Sequence, residues 1–130
     1  MDANRLNISK IETFFDTLLR GHVSDNVFFT SLPDAVEESW GNIVVVDCSA
    51  MADWNAFGRG TVLVMIYAPP MPSGRKNVAV MSSVEQKLNI AIERCNDSVY
   101  RIRRGETYSD YDSERKMFVN IVTVDLVVLT

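Results

Sequence analysis

Histidine occurs once in these 130 residues, and cysteine only twice. One histidine, His22, leaves no second imidazole for a metal centre or a catalytic pair, and its place after Gly21 suits bonding to the last carbonyls of a helix. Two cysteines are too few for a disulfide framework. Cys48 and Cys95 each sit among apolar neighbours and read as small buried hydrophobes. No apolar run approaches the ~20 residues that cross a bilayer, which argues against a membrane partner. The opening M-D-A-N-R-L-N-I-S-K lacks the apolar core of a secretory signal, so an intracellular protein is expected. Phosphate loops are missing too. Gly58-Arg59-Gly60 precedes a strand, and Ser73-Gly74-Arg75-Lys76 lacks the required glycine spacing. No serine lies in G-x-S-x-G. The acidic groups Glu37-Glu38 and Asp110/Asp112/Glu114 have neither the loop length nor the glycine of a calcium site. The expectation is therefore no enzyme, with no catalytic residue, no metal and no cofactor.

What is present is an ordinary globular composition, 47% apolar and 23% charged. It is enough for one domain spanning residues 1–130 with a core of its own. The net charge of −4 disfavours nucleic acid, whether general or sequence-specific. The charge is unevenly placed: residues 1–57 hold three basic and nine acidic side chains, and residues 58–130 hold ten and eight. Two readings stand: a surface that meets a complementary surface, such as another copy, or an uneven sprinkling without consequence.

Along the chain, Ser9-Lys10-Ile11-Glu12 has the form of a capping box. Ile11, Phe14, Phe15, Leu18 and Leu19 follow as one helical stripe, stopped at Gly21. Residues 23–42 look irregular, with a short strand at Val27-Phe28-Phe29, a helical turn opening at Ser31-Leu32-Pro33-Asp34 and a turn at Trp40-Gly41-Asn42. Ile43 to Asp47 is β-branched and reads as a strand. A loop from Met51 follows, with Gly58 and Gly60 marking a bulge where the next strand starts. That strand, Thr61 to Ala68, is ended by Pro69, Pro70 and Pro72. A second helix, capped by Asn77 or by Ser73, carries Met81, Val84, Leu88, Ala91, Ile92 and Cys95 on one face. The last third reads as a hairpin, Val99–Ser109 and Glu114–Val128, with its bend at Asp110–Ser113. The sum is an α+β two-layer sandwich: a mainly antiparallel four- to five-stranded sheet with two helices on one face, in the order α-β-β-α-β-β.

T-V-L-V-M-I-Y-A, Thr61 to Ala68, poses the functional question. Strand side chains alternate between faces, yet this strand is apolar on both. The last strand is too: Phe118, Val122, Val124 and Leu126 lie opposite Val119, Ile121 and Val127. Two helices with one stripe each cover a single face, which leaves a second apolar face without a helix. The β-branched Val62, Val64 and Ile66 suit the core, so Leu63, Met65 and Tyr67 are expected to face a partner. Arg101, Arg103 and Arg104 form a basic stripe. It is either solvated and paired with nearby acids such as Glu106 or Asp125, or docked on an acidic surface of a neighbour. Trp54 and Phe57, in the loop before the long strand, are candidate interface anchors.

The order of these elements, with V-x-x-x-L-x-x-A-I from Val84 to Ile92, the basic arm Y-R-I-R-R and the closing strand Met117 to Val128, resembles the tail-terminator proteins of long-tailed phages and prophages and the related head–tail joining proteins. The resemblance covers nearly the whole chain. It implies an α+β subunit of a homo-oligomeric ring, typically a hexamer, that caps the tail tube and meets the head connector. The setting would be the bacterial cytoplasm during assembly and the virion tail afterwards. It carries no shared catalytic residues. The alternatives are a small ligand-binding or enzymatic α+β domain using the second face as an apolar pocket, and a homodimer packed sheet to sheet.

Overall fold

The computed structural model describes residues 8–48 and 58–129. Helix α1 (Ile8–Leu19) leads into β1 (Val27–Phe29), β2 (Ile43–Asp47) and β3 (Arg59–Ala68). Helix α2 (Val78–Arg94) and the hairpin strands β4 (Tyr100–Asp112) and β5 (Met117–Val128) complete the chain. The five strands form one sheet in the order β1-β2-β3-β5-β4. Three of the four pairings are antiparallel, while β1 pairs parallel to β2, with Val27 beside Val44 and Phe29 beside Val46. The fold is thus α+β with a mixed sheet, one strand richer than the order expected from sequence.

The apolar periodicities decide what is buried. Ile11, Phe15 and Leu19 of α1 have no exposure, and Met81, Val84 and Leu88 of α2 have at most 3%. Residues of both helices join Val44, Val46, Val62, Val64, Ile66, Val122, Val124 and Leu126 in one cluster. Each fully buried side chain of this size contributes about 1.5–3 kcal/mol. Asn77 caps α2, its side-chain oxygen accepting from the Val80 N–H at 3.3 Å. Arg104 ties α2 to β4 by donating to Asn89 Oδ1 at 2.7 Å and Glu85 Oε2 at 3.3 Å.

The other face of the sheet is covered in part by the chain itself. Parallel neighbours need a crossover of a dozen or more residues. The segment between β1 and β2 is that crossover, and the helices already occupy the first face. Leu32, Val36 and Trp40 from the crossover pack with Phe28, Ile43, Val45, Met65, Tyr67 and Met117 in a second cluster. Arg115, in the hairpin turn, holds the crossover down by donating to Pro33 O at 2.8 Å and Asp34 O at 3.4 Å. A polar knot fixes the crossover's other end: Ser24 Oγ donates to Asn42 Oδ1 at 2.7 Å, and Asn26 Nδ2 to Asn42 O at 3.1 Å.

Four local expectations shift. The first helix already includes Ile8, so Ser9 lies inside it and its carbonyl accepts from Thr13 Oγ1 at 3.0 Å. Ser31–Asp34 forms no helical turn, because Leu32 turns down onto the second face. A 3₁₀ turn forms instead at Glu38–Trp40, ended by Gly41 at φ 71°. The hairpin bend lies at residues 113–116, three positions later than Asp110–Ser113. Asp112 Oδ1 accepts the N–H groups of Glu114 and Arg115 there, and Lys116 takes φ 55°. No bulge opens β3, whose pairing with β5 runs unbroken from Arg59 to Ala68. The bulge is in β4, between Arg104 and Thr107. There the Glu106 N–H donates to Thr123 Oγ1 at 2.8 Å. A Cβ on Gly105 would come within 2.2 Å of that same oxygen, so a side chain there would have to displace the Thr123 hydroxyl that closes the bulge.

Candidate functional site

Strand register places the candidate interface residues one by one. Leu63, Met65 and Tyr67 do point away from the helices, opposite Thr123, Ile121 and Val119 on β5. They part company there. Met65 and Tyr67 pack against the crossover cluster, and Leu63 does not. Burial, and next the Asp112 carboxylate, push the Tyr67 phenol above its ordinary pKa. All three are half-buried, so Met65 and Tyr67 keep part of their surface open while the rest is already covered. The cause is the crossover that parallel pairing demands.

The remainder of the second face is open to solvent to varying degrees. Leu63, Ile121 and Val127 are half-buried, and neither helix reaches them. Beside them a depression of about 490 Å³ is lined by Arg59, Thr61, Arg101, Arg103, Asp125 and Val127. Arg101 and Arg103 share this face, since they pair with Val127 and Asp125. Arg103 reaches Asp125 at 3.8 Å with 85% of its side chain exposed, a contact of about 0–1 kcal/mol. Arg104 takes the opposite face, where its bonds to α2 make it an internal brace rather than part of the stripe. Trp54 and Phe57 lie outside the described residues.

The acids at the hairpin have structural work of their own. Asp112 caps the turn, and Asp110 Oδ1 accepts the N–H of Tyr111 at 2.8 Å. Among the described residues no group of three or more His, Cys, Asp or Glu could hold a metal ion. Tyr108 and Tyr111 on β4 are 53% and 45% exposed, two surface aromatics that the sequence pattern alone does not single out. The bulge between Arg104 and Thr107 shifts the alternation of the arm, so Tyr108 shares the face of Arg103 despite its even position.

A larger cavity, about 700 Å³, lies between α1 and α2. Phe14, Leu18 and Ala91 form its apolar floor, and Lys10, Lys87 and Arg94 stand at its rim. The space a ligand-binding reading looks for is therefore between the helices, and the depression on the second face is polar-rimmed. His22 and Cys95 also line this cavity. His22 is exposed, and its backbone N–H, rather than its ring, donates to Leu19 O at 3.1 Å.

The two cysteines differ in a way that labelling should reveal. Cys48 is 2% exposed, and burial, then Glu12 and Asp47, push its thiol up to about 12. Cys95 is half-buried at the cavity. Since the thiolate is the reactive form, Cys48 should react on the order of 10³-fold more slowly than an ordinary thiol. In native protein at pH 8 an alkylating reagent should add one label, at Cys95, and a second only in denaturant. Two equally fast labels by mass spectrometry would contradict this burial. No family model matches the sequence, and no curated protein matches it.

Proposed function

We propose that this chain is a structural subunit that associates with copies of itself through the uncovered part of its sheet. Following its resemblance to tail terminators, it would close into a ring that caps a phage or prophage tail tube and meets the head connector. The observation that carries self-association is the set Leu63, Ile121 and Val127 on the second face, with Thr123 and Asp125 between Ile121 and Val127. It is half-exposed, reached by neither helix, and bordered by Arg101 and Arg103. Interface patches combine an apolar centre with a polar, arginine-rich surround. The acidic first half of the sequence supplies the complementary charge.

Light scattering coupled to gel filtration tests this reading. Wild type should have the mass of a ring, and negative-stain images should show annular particles that bind the ends of tail tubes. Arg101→Glu with Arg103→Glu should weaken association while leaving circular dichroism unchanged. The difference should shrink between about 0.1 M and 1 M salt, as the screening length falls from about 10 Å to 3 Å. A protein that stays monomeric or stops at a dimer overturns the ring. Assembly indifferent to the double reversal at low salt would remove the arginines from the contact.

A further inference from the structure

Strand β4 is the outermost strand of the sheet, and every residue from Gly105 to Tyr111 is exposed. An uncovered edge presents unpaired N–H and C=O groups on which another strand can add. Protected edges carry charge that repels any newcomer or charges that point inward. The charges of β4 are arranged differently. Arg101, Arg103 and Arg104 occupy its first half, and Glu106, Asp110 and Asp112 its second. Such a strand is complementary to itself when antiparallel, and sets like against like when parallel.

We propose that β4 pairs antiparallel with β4 of a second copy about a two-fold axis passing between Glu106 and Thr107. The bulge fixes this register. Arg104 pairs with Val124 and Thr107 with Val122, so one extra residue shifts the alternation midway along β4. Arg101, Arg103, Tyr108, Asp110 and Asp112 consequently share the second face. Two copies then match faces, and outward backbone groups, only where odd-numbered residues stand opposite even-numbered ones. With the axis between Glu106 and Thr107, Arg103 stands opposite Asp110 of the second copy, and Arg101 opposite its Asp112. Symmetry repeats both pairs. On the other face Ile102 meets Tyr111, whose half-exposed ring already packs edge-on against Phe118 at 4.9 Å between centroids. Either adjacent face-matching register retains only one of the two charge pairs. The bulge sits at the axis, flanked by two matched ladders, Arg101–Arg104 against Ser109–Asp112.

This contact rests on the self-association proposed above, but it does not require a ring. Alone it defines a dimer with a continuous sheet, and combined with a second-face contact that closes, it gives an even number of copies.

A charge swap tests it, because Arg103 and Asp110 lie about 20 Å apart along their own strand and cannot meet within one chain. Asp110 is used because Asp112 caps the turn. Arg103→Glu alone and Asp110→Arg alone should each raise the dissociation constant by roughly tenfold or more, measured by analytical ultracentrifugation. The double variant should return it close to wild type. Circular dichroism should be the same for all three. Association weakened in both single variants and not restored in the double overturns the pairing while leaving self-association intact. A wild type that is monomeric at its highest soluble concentration overturns both. A dimer with restoration sustains the pairing and removes the ring.

Discussion

Val64→Asp should leave no folded protein. Val64 has no exposure and stands in the sheet between Val46 and Val122, which have none either. A carboxylate there has no cation or N–H to accept from, since the backbone donors around it already serve the ladder. Burying it unpaired costs several kcal/mol, against a total stability of about 5–15 kcal/mol for an ordinary domain. The far-ultraviolet spectrum of the purified variant should be that of a largely unfolded chain at 25 °C. Val64→Ala, which removes only methyl groups, should fold with a lowered urea midpoint. A cooperative transition for Val64→Asp near the wild-type midpoint would mean that the helices do not seal this face.

One residue along, the same substitution should have a graded effect. Met65 points to the opposite face and packs on the crossover cluster with Leu32, Ile43, Val45 and Met117. It is half-buried, so water reaches part of an introduced carboxylate. The expected loss is about 1–3 kcal/mol, with loosening of the crossover from the sheet. Leu63→Asp, two residues earlier on that face and outside the cluster, should cost less than about 1 kcal/mol and abolish association instead. Urea midpoints and solution masses of the two variants separate these outcomes. A fully stable Met65→Asp that fails to assemble would show that the crossover seals nothing, and would place Met65 wholly in the partner-facing set.

The Leu63–Met65 contrast shows where sequence reasoning reached its limit. Both are apolar residues at alternate positions of one strand, and nothing local distinguishes them. The distinction arises because β1 joins the sheet parallel to β2. Three residues, Val27–Phe29, carry too little pattern to announce their direction, yet that direction forces residues 30–42 across the second face. Arg103 and Arg104 differ for a similar reason. Their neighbouring positions imply opposite faces, but only the packing of α2 over β4 brings Asn89 and Glu85 to Arg104. The position of the hairpin bend likewise depended on Asp112 accepting two backbone N–H groups, a choice that the five consecutive polar residues 112–116 leave open.

By itself the sequence determined the α+β class, the two helical stripes, the stop at Gly21, a cap at either Asn77 or Ser73, and the alternation of β3 and β5. Each of these follows from interactions within a few residues: side-chain period, capping geometry and the φ freedom of glycine. Tertiary structure alone decided the strand order, the parallel edge, the partial covering of the second face and the exposure of β4. Those depend on which distant segments meet, and the hydrophobic effect that drives the meeting is non-directional. An apolar second face is equally satisfied by the chain's own crossover or by a neighbour, and in this protein it is divided between a covered half and an open one.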